Sequence, residues 1–212
     1  MLRLLLREHP LETVLKNALQ ALKDGGIIAY PTESFYALGV NAHNEDAIRR
    51  LYEVKKRPAD KPAPLIAGSR EILRTLVKSI PPQAEGLMKN FWPGALTMVF
   101  DAAEGLPDVL TAGIGKVAVR IPGESFALSL AKSADFPITA TSANHSGSPP
   151  AETADEVIKY FGEEIDLIID AGKTSGGEPS TIINVTVMPF KVLREGRVKV
   201  QNCRGRIQLL GL

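Results

Sequence analysis

Five cations in this chain stand where they could hold an anion. Lys55, Arg57 and Lys61 fall within seven residues, in the run Lys55-Lys56-Arg57-Pro58-Ala59-Asp60-Lys61-Pro62, and Arg120 and Arg194 each close an apolar stretch. Arginine brings a planar fork of donors and lysine a point charge, a combination suited to phosphates and carboxylates. Pro58 and Pro62 stiffen the segment on either side of Asp60-Lys61. Hydroxyl and amide groups gather at similar places: Thr32 after one apolar run, Ser142-Ala143-Asn144 with Ser146-Gly147 after another, and Ser180-Thr181 before a third. Open α/β sheets collect ligands outside the carboxyl ends of their strands, so these groups could converge on one anion site. Each also has a plainer use. A charge run often ends a solvated helix, Ser and Asn often close turns or cap helices, and Arg120 or Arg194 could pair with Asp170 or Glu195.

Other chemistry is poorly supported. Gly172-Lys173-Thr174 resembles the end of a phosphate-binding P-loop, but Leu167 stands where that loop needs a glycine and no helix pattern follows. His9, His43 and His145 lack metal-ligand spacing, and no carboxylate cluster accompanies them, so no protein-bound metal is expected; His145 is of interest only as the neighbour of Asn144. Cys203 is the sole cysteine, which excludes an intramolecular disulfide and a cysteine-based metal site. It lies in a basic segment with no sign of nucleophilic chemistry. Phe91 and Trp92 read as turn or core packing.

The elements that must position these groups alternate along the chain. Apolar spacing predicts helices over residues 10–23, 44–54, 69–77, 82–91, 124–134 and 153–161, with Asn44, Ser69 and Thr153 as N-caps. Short apolar runs at 27–30, 64–67, 95–100, 116–121, 137–141, 165–170, 182–185 and 190–194 read as strands. With 212 residues, 44% hydrophobic and 23% charged, the chain has ordinary globular composition. Strands interleaved with helices argue for one α/β domain over 1–212, with antiparallel pairing towards the C-terminus and a basic, weakly periodic tail at 199–212. Formal net charge is only +1, so anion binding must be local, and a generic nucleic-acid coat is disfavoured. No apolar run reaches the roughly 18 residues of a membrane span, and the expectation is a soluble, cytoplasmic protein.

Taken together in order, these segments resemble the YrdC/Sua5 family. The resemblance rests on Gly26-Ile27-Ile28-Ala29-Tyr30-Pro31-Thr32-Glu33, the Lys55-Lys56-Arg57-Pro58 loop, and Phe91-Trp92-Pro93-Gly94-Ala95-Leu96-Thr97. It continues through Val119-Arg120-Ile121-Pro122, Ser142-Ala143-Asn144-His145-Ser146-Gly147, Ser180-Thr181 and Leu193-Arg194-Glu195-Gly196, and so spans residues 11–198. It implies a twisted, largely open mixed sheet flanked by helices, with a concave, positively charged cavity. It implies a nucleotidyltransferase that joins L-threonine, bicarbonate or CO2, and ATP into threonylcarbamoyl-adenylate and pyrophosphate. The product would feed N6-threonylcarbamoyladenosine modification of tRNA through downstream transfer proteins. By the same resemblance Thr32, Arg120 and Ser180 would hold threonine. Lys55, Arg57, Ser142, Asn144 and Arg194 would hold ATP, with Lys61 near either ligand. Lys55 and Arg57 would carry the electrostatic catalysis, and Mg2+ would travel on the phosphates.

Three positions depart from the family pattern. Phe35 and Ala37 are unusual beside Thr32 and bear on the choice of threonine over serine, and Thr141 replaces a common proline. The chain is expected to be the short type without a further C-terminal domain. Two other readings compete. One is a non-catalytic RNA-binding module, for double-stranded RNA or tRNA, using the same basic cavity; near-neutral charge and scarce aromatics weigh against it. The other is the carbamoyl-adenylate chemistry of the related HypF domain, which would bring acylphosphatase and zinc-finger segments that this sequence lacks.

Overall fold

The strand expected at residues 27–30 is present at Ile28–Pro31, and all four of its residues are buried. The structure is a computed structural model, describing residues 1–203 and 206–210. In it β1 (Leu2–Leu5), β2 (Ile28–Pro31), β3 (Tyr36–Gly39), β8 (Thr141–Ser142) and β9 (Leu167–Asp170) form a five-stranded mixed sheet in the order β1-β9-β2-β3-β8. Ile28, Tyr30, Leu167 and Ile169 turn to one core, with Val14, Ala18 and Leu22 of helix α1 (Leu11–Lys23) and Phe126 and Leu130 of α6 (Phe126–Ser133). Ala29, Leu38 and Ile168 turn to the other core, with Ile48 and Leu51 of α2 (Glu45–Val54) and Val157 and Phe161 of α7 (Ala154–Phe161). Successive residues thus serve opposite faces, as the two-residue strand period requires.

A second, six-stranded sheet runs β11-β10-β5-β6-β4-β7, from Lys191–Arg194, Thr181–Asn184, Leu96–Asp101, Lys116–Arg120, Leu65–Ile66 and Ile138–Thr139. Its Met98, Phe100, Val117, Val119 and Ile183 enter the core shared with α2 and α7. The α/β class with mixed sheets and flanking helices is as expected, but the strands divide between two sheets. Helices α3 (Arg70–Leu76), α4 (Pro82–Phe91) and the short α5 (Asp108–Thr111) complete the set. The caps fall where the sequence places them: Asn44 accepts from Ala47 N at 3.0 Å, Ser69 from Ile72 N at 3.3 Å, and Thr153 forms a reciprocal capping box with Glu156. No helix among the described residues is long and apolar enough to cross a membrane.

Four features depart from the sequence reading. Leu2–Leu5 is a strand, parallel to β9, and Tyr36–Gly39 is a strand antiparallel to β2. The stretch read as a weakly periodic tail pairs instead as an antiparallel ribbon, β12 (Lys199–Cys203) with β13 (Arg206–Leu210). Such pairing depends on the partner strand, which local periodicity does not report. The Cys203 side chain, read as non-catalytic, lies outside the described residues. Finally, the single strand expected at 137–141 is two. Residues 138–139 pair with β4 in the six-stranded sheet, and two residues on, Thr141 and Ser142 pair with β3 in the five-stranded sheet.

This crossing between sheets is tied at several points. Tyr30 Oη donates to Thr139 O at 2.9 Å, Val40 N to Thr139 Oγ1 at 3.0 Å, and Ala140 N to Pro64 O at 2.8 Å. Beyond it, Lys55 at the end of α2 donates its ammonium to the carbonyls of Ser142 and, at 2.7 Å, of Asn144. In return Ser146 N donates to Lys55 O at 3.1 Å. Lys55 is only 2% exposed, and burial, with the charge of Arg57, pulls its pKa down to about 7.

Three stability outcomes follow. Replacing Lys55 by Met strands two carbonyls without their donor and should cost about 2 kcal/mol in urea unfolding at neutral pH. Because the folded pKa lies below the ordinary 10.5, the unfolded chain binds more protons between those values. Lys55 therefore adds a component of stability that rises with pH from 7 upward, and the Met variant should lose that slope between pH 7 and 9. At Gly68, a Cβ would lie 2.0 Å from Ala131 O in α6. Gly68→Ala must push the helix from the sheet and should lower stability by about 1–3 kcal/mol in the same measurement.

Candidate active site

The strand period that buries one face of the six-stranded sheet exposes the other to a cavity. Thr97 and Val99 of β5, Lys116, Ala118 and Arg120 of β6, and Ser180, Ile182 and Asn184 on β10 and just before it line its floor at two-residue spacing. Thr32, Phe35 and Ala37 from the β2–β3 hairpin and Thr141, Ser142 and Asn144 from the crossing form the facing wall. The cavity measures about 730 Å3. It lies where the two sheets meet, and seven of the nine residues singled out in the sequence border it: Thr32, Arg57, Arg120, Ser142, Asn144, Ser180 and Arg194.

Among the described lining residues four are cationic, Arg57, Lys116, Arg120 and Arg194, and none is acidic. Their partners divide them. Lys116 Nζ meets Asp101 at 2.7 Å and Thr186 Oγ1 at 2.9 Å. Arg120 donates to Glu33, so its partner is neither Asp170 nor Glu195. Asp170 is taken by Arg3, at 2.6 Å. Arg57 instead donates to the carbonyls of Lys61 at 2.9 Å and Pro62 at 2.8 Å, with its guanidinium 5.8 Å from the centre of the Tyr52 ring. Arg194 donates to Ser180 O at 2.7 Å and Ser180 Oγ at 3.1 Å. Among the described residues neither has a carboxylate partner. Desolvation and the Arg120 charge both lower the pKa of Arg194, which marks the two guanidiniums as neighbours.

The polar groups are held by the backbone in the same way. Thr32 Oγ1 donates to Phe35 O at 2.7 Å and accepts from Ser34 N at 3.2 Å, so this hydroxyl closes the hairpin as well as bordering the cavity. Ser180 Oγ lies 2.9 Å from Thr97 Oγ1. Asn144 is 7% exposed and donates to His145 O at 2.8 Å and Ser148 O at 2.7 Å. Its Oδ1 is buried with no donor among the described residues, an acceptor left open beside the cavity. His145 packs edge-on against Tyr160 and Phe161, with ring centres 5.6 and 5.1 Å away.

Two expected ligand contacts are placed elsewhere. Lys55 is turned under the wall, onto the carbonyls of Ser142 and Asn144, and so shapes the loop rather than meeting the cavity. Lys61 is exposed, and its carbonyl, not its ammonium, serves the site by accepting from Arg57 and, at 2.9 Å, from Tyr52 Oη. Glu33, Thr97, Lys116 and Asn184 were given no role by the sequence reading. Lys116 was legible, because it stands four residues before Arg120 on an alternating strand and so shares its face. No group of three or more His, Cys, Asp or Glu is placed to hold a metal among the described residues.

Comparison with known proteins identifies relatives of this chain. The model of the Sua5/YciO/YrdC family, described as telomere recombination, matches residues 20–196. A threonylcarbamoyl-AMP synthase of Pyrococcus abyssi is 42% identical over 195 residues, covering 92% of this chain and 57% of that protein. One of Bacillus subtilis is 38% identical, covering 87% of this chain and 54% of its own length. The crystal structure of P. abyssi Sua5 complexed with L-threonine superposes with a TM-score of 0.86 at 41% identity, over 93% of this chain and 57% of that one. The chain thus spans little more than half the length of these relatives. A family-model match over most of the chain, a shared fold and this degree of identity lead to one conclusion: the chain belongs to the Sua5/YciO/YrdC family.

Proposed function

We propose that this chain is a nucleotidyltransferase forming threonylcarbamoyl-AMP and pyrophosphate from L-threonine, bicarbonate or CO2, and ATP, for threonylcarbamoylation of tRNA in the cytoplasm. The observation that carries it is the pair Arg57 and Arg194, which border a cavity with no acidic residue among its described lining and rest on uncharged carbonyl and hydroxyl oxygens. Guanidiniums satisfied in hydrogen bonding but lacking a counter-charge are suited to an anionic ligand. The names of the relatives, and the threonine complex of one of them, supply the ligand identities. They also support the synthase over an RNA-binding module.

In this reading Thr32, Arg120 and Ser180 receive threonine, with Arg120 on its carboxylate. Arg57, Ser142, Asn144 and Arg194 receive ATP, and Lys55 sets the shape of the 142–146 loop that meets it. Mg2+ would enter with the triphosphate as part of the substrate, beside a border that holds four cations and, among its described residues, no carboxylate. The threonine ammonium gives a proton to solvent, the free amine attacks the carbon of CO2 as one C=O π bond opens onto oxygen, and loss of a second proton from nitrogen to solvent leaves a carbamate. A carbamate oxygen then bonds to the α-phosphorus while the bond to the bridging α,β-oxygen breaks and pyrophosphate leaves. No side chain need become covalently attached. Fixed cations aligned with the developing charge lower the barrier, together with alignment of the two substrates. The adenylate would pass to downstream tRNA threonylcarbamoyl-transfer proteins.

Incubation with ATP, labelled bicarbonate and L-threonine should release pyrophosphate and yield a labelled adenylate. Arg57→Ala should cut that rate by roughly 100-fold with the fold retained, and unchanged turnover would sink the assignment. RNA affinity that exceeds ATP affinity and falls steeply with salt would favour the binding module instead. Because Phe35 and Ala37 border the cavity beside Thr32, the same assay with L-serine reads specificity. The expected result is turnover well below that with threonine.

A further inference from the structure

Arg120 enters the cavity from the end of β6, yet its orientation is set from behind. Glu33, in the turn between β2 and β3, accepts from Arg120 Nη1, and the two side chains are 13% and 11% exposed. Among the described residues the Arg120 guanidinium makes no other hydrogen bond to the protein, so its remaining N–H groups are free for a ligand. Glu33 is itself fixed. Arg197 Nη1 donates to its main-chain oxygen at 3.2 Å, and Gly123 lies close enough to its side chain that an added Cβ would stand 3.8 Å from its Cγ. Gly94 N donates to Ile121 O at 2.9 Å, tying the segment after Arg120 to the turn that precedes β5. The other carboxylate oxygen of Glu33 is buried with no donor among the described residues.

From this we infer that Glu33 is a positioning residue for amino-acid binding, holding the Arg120 guanidinium at one N–H so that its free donors meet the substrate carboxylate. The inference rests on the assignment of Arg120 to threonine. An unanchored arginine must order several rotatable bonds on binding, and here that ordering is completed beforehand. The pairing also gives the turn a second use. Thr32 and Glu33 are adjacent, so one hairpin places both a hydroxyl at the cavity edge and the anchor of the arginine opposite.

L-Threonine binding by calorimetry and pyrophosphate release should be measured for the unmodified chain, Glu33→Ala and Glu33→Gln. Glu33→Ala should weaken threonine binding, and raise its KM, by about tenfold or more, leaving ATP affinity within about twofold. Glu33→Gln retains an acceptor of the same reach and should recover part of the loss. A purely structural role would raise the KM of both substrates together and give no rescue by Gln. Threonine affinity unchanged in Glu33→Ala would overturn the inference while leaving the synthase reading standing. Failure of the unmodified chain to bind or turn over threonine would overturn both.

Discussion

The ammonium of Lys55 is the contact on which the site depends. A charged group that is 2% exposed carries a desolvation cost, and two carbonyl acceptors, of Ser142 and Asn144, offset it only in part, since the pKa still falls to about 7. What this arrangement secures is a joint. Lys55 ends a helix packed on the five-stranded sheet, while the carbonyls it holds lie just past the point where the chain leaves the six-stranded one. The cavity opens between the two sheets, so its walls keep their spacing only while that crossing is held. A neutral lysine still has two N–H donors for the two carbonyls, so the joint is compatible with either protonation state.

Around the joint, charge is distributed unevenly. Lys116 and Arg120 have carboxylate partners, whereas among the described residues Arg57 and Arg194 have only uncharged carbonyl and hydroxyl oxygens. The first pair is neutralised and oriented by the protein. The second keeps its full charge for whatever enters. A cavity bordered by cations of both kinds can position one anionic group finely while attracting a larger one.

Much of the site was legible because its groups are marked by local chemistry. Arginine ending an apolar run, hydroxyls next to strand ends and a proline-stiffened basic loop need no partner to be noticed, and seven of the nine residues chosen on those grounds border one cavity. Lys55 and Lys61 were read as ligands because a sequence shows charge but not direction. The Lys55 ammonium turns inward onto two carbonyls, while Lys61 lies exposed in the loop that follows. Glu33 was part of a recognised motif but had no role, since its meaning lies in Arg120, 87 residues away.

By itself, then, the sequence determined the α/β class, most helices with their caps, and the family. These follow from periodicity, capping chemistry and motif order, all of which are properties of neighbouring residues. Only the tertiary structure decided that the strands form two sheets, that residues 137–141 pass from one to the other, and which cations keep a counter-ion. Those are outcomes of pairing between distant segments. A strand's hydrogen bonds and an ion's partner are chosen by what packs beside them, and no local pattern encodes that choice.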